Sequence, residues 1–169
     1  MAAAAGVLAA TTVGCAGQTP PQGGVKTPAD RAAFMERTRC SGDDDKLTAA
    51  VLNGTAIVGV KPAYSNVGDA KGGPQPELRS AIISVSALPG LTAEWLDSAL
   101  ECHSAKTTLG HAPAASNDPF WLPEASIDID VRPAKDGLDI VVTGYSPDEA
   151  RRILGRASAF APKAAAPTK

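Results

Sequence analysis

Cys102 and His103 stand side by side in this chain, and His111 follows shortly after. A thiolate and two imidazoles are donors that suit soft or borderline ions such as Cu(I) or Zn(II). The spacing argues against a shared ion. Neighbouring helical residues point about 100° apart, and no CxxC or HxxxH pattern joins the three. The competing expectation packs His103 at a helix edge. Asp128-x-Asp130 puts two carboxylates on one strand face, a pattern that can hold a hard cation and more commonly makes a solvated face. If residue 133 faces 138 across a turn, Arg132 lies opposite Asp139 and one cross-strand ion pair is expected. Arg151, Arg152 and Arg156 could grip an anionic partner, or simply form the wet side of an amphipathic helix. There is no GxSxG, no P-loop glycine pattern, and only His103 and His111 to serve in an acid–base pair. No residue pattern argues for catalysis, and the expected protein is not an enzyme.

These groups need elements to hold them. Thr27-Pro28-Ala29-Asp30 is a helix start with Thr as cap and Pro in the first turn. That helix is expected to reach about Thr38 and to bury Phe34. Asp43-Asp44-Asp45 is a helix start or a solvated turn. Leu47 to Leu52 is open between helix and strand, with helix favoured by Ala49 and Ala50; Asn53-Gly54 then ends it. Gly68 to Pro76 is expected to be a mobile loop. Ala81 to Leu88 reads as a strand with Ile83, Val85 and Ala87 on one face, broken by Pro89-Gly90.

Thr92 caps the central helix, with Leu91 placed to pack on Leu96. Trp95, Leu96, Ala99, Leu100, Cys102 and His103 share one side of it, and Glu94, Asp97, Ser98 and Glu101 take the other. A long connection carries Phe120-Trp121, expected to plug the core. Ile127, Ile129 and Val131 alternate with polar residues, turn at 134–137, and return through Leu138, Ile140 and Val142 as a hairpin. Ser146-Pro147-Asp148-Glu149 is a capping box, and its helix places Ala150, Ile153, Leu154 and Ala157 inside. Strands with one polar face and helices to cover the other predict an α+β two-layer sandwich, an antiparallel sheet with helices on one face, partly ferredoxin-like.

The start of the chain carries a different kind of signal. Residues 2–14 are uncharged and apolar or small, and Thr12-Val13-Gly14-Cys15 follows with a Pro/Gly/Gln stretch behind it. The run is shorter than the roughly 20 residues a bilayer span needs and has the length of a signal h-region. This segment resembles the export signal and lipobox of bacterial lipoproteins, with Thr12 where that family favours Leu and no Lys or Arg before Lys26. The resemblance implies diacylglyceryl transfer to the Cys15 sulfur, cleavage before it, and acylation of the new amino terminus. Ala16 after the cysteine, rather than Asp, implies the outer membrane of a Gram-negative cell, facing the periplasm. The resulting organisation is a signal over 1–14, a lipid-anchored linker over 15–26, an α+β domain over 27–160 and a tail over 161–169.

That compartment bears on the other two cysteines. With Cys15 acylated, Cys40 and Cys102 remain in oxidising surroundings and are expected to form a disulfide. A metal- or thiol-handling role through Cys102, His103, His111 and Cys40 stays as the second possibility. Aromatic residues make up only 4% of the chain, so the core must be aliphatic and alanine-rich. The net charge of −2, from 16 basic and 18 acidic residues, gives no basic surface for nucleic acid. The expected partners are the membrane, through the lipid, and an envelope protein or glycan, with peptidoglycan or lipopolysaccharide phosphate as candidates for the arginines. No cofactor is expected, and the function expected is a non-catalytic binding or structural one in the cell envelope.

Overall fold

The computed structural model describes residues 27–40, 46–69 and 73–161. Cys15, the leader, the spacer, Asp43-Asp44-Asp45 and the tail beyond Ala161 lie outside the described residues. Eight elements follow in order: α1 (Pro28–Arg39), α2 (Lys46–Leu52), β1 (Ile57–Asp69), β2 (Gly73–Ser86), α3 (Ala93–Thr108), β3 (Ile127–Ala134), β4 (Gly137–Gly144) and α4 (Pro147–Phe160). The strands form one antiparallel sheet in the order β1-β2-β4-β3. Helices α3 and α4 pack on one of its faces and α1 lies against α3, an α+β sandwich. From β2 to α4 the path is ferredoxin-like. The place that a strand after α4 would fill in a βαββαβ unit is taken by β1, which comes first in the chain.

Alternation sets the faces. Ala81, Ile83 and Val85 of β2, Ile140 and Val142 of β4, and Ile127, Ile129 and Val131 of β3 are all buried on the helix side. Leu96 and Leu100 of α3, Ile153 and Ala157 of α4, and Val51 of α2 close over them. The opposite sheet face is polar: Ser80 bonds Thr143, and Ser84 donates to Asp139. The register sets Arg132 opposite Asp139 as expected, but the ion pair does not follow. Arg132 turns back to Asp130 on its own strand, while Asp139 takes Ser84 and Lys61.

Helix ends obey their caps. Thr27, Thr92 and Ser146 each accept a hydrogen bond from the third backbone N–H beyond them, and Glu149 completes the capping box at Ser146. Leu47–Leu52 lies within a helix, and it stops where Gly54 adopts a left-handed φ of 79°. Cys40 and Cys102 are bonded, with Cα atoms 5.1 Å apart and a sequence separation of 62. Closing a loop of that length contributes about 4 kcal/mol in the chain-entropy model.

Two further expectations fail. Phe34 is 46% exposed, and Ala32 is the residue α1 buries. The helix approaches α3 through this small side chain, and Phe34, two positions on, is turned roughly 200° away. Gly68, Asp69 and residues 73–76 are strand rather than loop, and residues 70–72 between them lie outside the described residues. β1 runs through Asp69, β2 starts at Gly73, and after a register shift between Ala63 and Tyr64 the two pair residue by residue from Tyr64 to Asp69. The strand β4 reaches only Ser80, so residues 73–79 have no strand neighbour on that side among the described residues. Prolines are tolerated in a strand where no ladder bond is required, and Pro74 and Pro76 occupy such a stretch.

Candidate functional site

The groups singled out for metal chemistry are parted by the fold. The Cys102 sulfur is bonded to Cys40. His103 Nε2 lies 2.7 Å from Asp118 Oδ2, and Asp118 is 4% exposed. His111 Nδ1 is 2.9 Å from Glu36 Oε1, on the α1 side. Each imidazole therefore meets a different carboxylate. Among the described residues no group of three or more His, Cys, Asp or Glu is placed to hold a metal ion.

Asp118 does more than meet His103. Its other oxygen accepts from the Phe120 N–H at 2.8 Å, and Phe120 is fully buried with its ring edge-on to Phe160. This is the plug expected of the aromatic pair. Arg156 completes it by donating to the carbonyls of Asp118 and Trp121 and stacking over the Trp121 ring. Burial and the neighbouring Arg152 push its pKa down, against Asp118, which acts the other way. The arginines of α4 are thus not one surface. Arg151 pairs with Asp148, Arg152 is exposed, and Arg156 is a clamp on the long connection.

Sequence reasoning put Asp97 and Glu101 on an open side of α3, but α1 covers that side. Glu101 Oε2 is buried and lies 2.9 Å from Arg39 Nε without hydrogen-bond geometry, an electrostatic contact only. Burial raises the pKa of both carboxyls, with Arg39 opposing. For Asp97 the Val131 backbone on the β3 edge opposes that rise as well. Between Met35, Glu101, Ser104 and Ile127 a crevice of about 40 Å³ remains, room for water rather than a ligand.

The surface with the character of a binding site lies where α1 begins. Gly144 is buried, and a Cβ there would stand 2.8 Å from the Ala150 backbone nitrogen, so only glycine lets β4 end this close to α4. The chain then presents Tyr145, 58% exposed. Arg31 donates to the Tyr145 hydroxyl and to Asp128 Oδ1, the latter at 2.9 Å, and its guanidinium lies over the tyrosine ring. Burial acts to lower the Arg31 pKa, but Tyr145 and Asp128 outweigh it and the net direction is up. An open groove of about 510 Å³ runs along Thr27, Pro28, Arg31, Phe34, Met35, Ser126 and Tyr145. Its walls are mainly apolar, with one charge already neutralised, which suits contact with an amphipathic surface better than capture of an ion. In sequence only the aromatics Phe34 and Tyr145 mark this surface, and Phe34 is the one expected in the core.

No family model, no curated protein and no solved structure matches this chain. Among the described residues no helix is long and apolar enough to cross a membrane.

Proposed function

We propose that the chain is a lipid-anchored cell-envelope protein whose folded part serves a binding or structural role without catalysis. The observation that carries this is Cys15 behind an uncharged run of signal length, with the first helix cap, Thr27, only a short spacer further on. The Cys40–Cys102 bond supports it, since structural disulfides belong to oxidising compartments. The non-catalytic part is supported by the state of the reactive groups: both histidines, Asp118 and Arg156 are spent on holding segments together.

Fractionation of a Gram-negative host expressing the full chain tests the anchor. The wild-type chain is expected with the outer membrane and the Cys15→Ser variant in a soluble fraction. Equal, soluble cytoplasmic distribution of both would overturn the anchor and the compartment together.

A further inference from the structure

One end of the sheet is fixed by two registers, Gly144 opposite Ile127 and Thr143 opposite Ser80. Beyond Ser80, among the described residues, the β1–β2 pair continues without a third strand. Residues 73–79 carry it about 24 Å further at ~3.4 Å per residue. Arg31 ties the first turn of α1 to Tyr145 and Asp128, so Thr27 stands at this same end. Five large apolar side chains are exposed among the described residues: Phe34, Val58, Tyr64, Val67 and Tyr145. All but Val58 belong to this end, on the arm or on the groove beside Thr27. The turn at the far end of β3 and β4 offers Ala134, Lys135 and Asp136 instead.

We propose that this end is a membrane-facing surface, with Phe34, Tyr64, Val67 and Tyr145 resting in the headgroup region of the bilayer that holds acylated Cys15. The inference rests on the anchor proposed above. Residues from Cys15 to Thr27 can span at most about 40 Å, so Thr27 cannot stand further than that from the lipid surface. The arm narrows the gap. Tyrosines are amphipathic and favour the membrane–water interface. A strand edge with unpaired backbone groups cannot enter hydrocarbon, which keeps the arm at headgroup depth rather than inserted. Arg31 is paired with Asp128, Lys61 with Asp139 and Arg79 with Glu77. Contact is therefore expected on zwitterionic and anionic lipid alike, and to survive salt.

The test is amide hydrogen exchange on the full acylated chain bound to phosphatidylethanolamine/phosphatidylglycerol vesicles, against the Cys15→Ser chain free in solution. Peptides over 28–35 and 62–79 should slow by about fivefold or more on vesicles, while 134–137 stays unchanged. A Tyr64→Ser/Val67→Ser double variant, altering only exposed side chains of the arm, should stay acylated and melt at the wild-type temperature, yet lose the slowing over 62–79. An acylated chain whose arm exchanges as fast on vesicles as in solution overturns the membrane face and leaves the anchor standing. A chain that intact mass shows to be unacylated removes the anchor, and the inference with it. Slowing that grows with protein concentration in the Cys15→Ser chain, without vesicles, assigns the surface to a second copy and overturns the proposal.

Discussion

Two segments of this molecule invert the usual link between regular structure and burial. The connection from Leu109 to Ser126 contains no helix or strand, yet Asp118, Pro119, Phe120 and Leu122 within it are among the most buried residues. The arm formed by residues 63–69 and 73–79 is a paired ladder with one register shift at Ala63/Tyr64, yet most of its side chains are exposed. The first is held by side chains: a carboxylate, a histidine, an arginine and an aromatic plug. The second is held by backbone alone, and a two-stranded ribbon without a covered face is marginal by itself. A chain can keep such a ribbon when its root is part of a larger sheet. What it gains is exposed surface, including Tyr64 and Val67.

The contrast can be tested from its strongest side first. Phe120→Ala empties a site with no exposure and removes the edge-on contact to Phe160, so unfolding free energy should fall by about 4 kcal/mol in urea titration. Asp118→Ala should cost about 3 kcal/mol by the same measurement. It strands the Phe120 N–H in the interior and leaves His103 without its carboxylate. If either substitution costs less than about 1 kcal/mol, the connection is not clamped as described.

A pH experiment probes the covered side of α3. The Glu101 pKa is raised chiefly by burial, so its protonated form is the better tolerated one in the fold. A raised folded pKa contributes stability below the unfolded carboxylate range and loses it as pH climbs through the folded value. Glu101→Gln cannot lose that contribution. Its stability relative to wild type should therefore rise as pH climbs above the ordinary carboxylate range and level off once the folded carboxyl has ionised. A relative stability that falls over that window would mean that Arg39 dominates over burial.

The smallest effect on stability belongs to the arm. Tyr64→Ser should change unfolding free energy by no more than about 0.5 kcal/mol, because the side chain packs on no core. A larger loss would make Tyr64 structural and weaken its part in the contact surface.

Much of the fold was legible because local signals agreed. The caps at Thr27, Thr92 and Ser146, the alternation in 127–142 and the two spare cysteines each pointed to what the structure contains. Missed features depended on long-range partners. Phe34 lies outside because α1 docks through Ala32, and Asp97 and Glu101 are covered because α1 docks there at all. Glycine and proline in 68–76 read as a loop because their tolerance in a strand depends on the neighbour that β4 fails to supply. Arg156 looked solvated because the carbonyls it holds come from a segment 35 and 38 residues away. The groove itself combines α1 with the start of β3 and the residue after β4, which no local pattern could join.

The most direct measurement is the intact mass of the full-length chain made in a Gram-negative host, alkylated without reduction. The account predicts loss of residues 1–14, added acyl mass, and no alkylated thiol, because Cys15 is acylated and Cys40 is bonded to Cys102. An unprocessed chain with Cys15, Cys40 and Cys102 all alkylated would contradict both the anchor and the bridge.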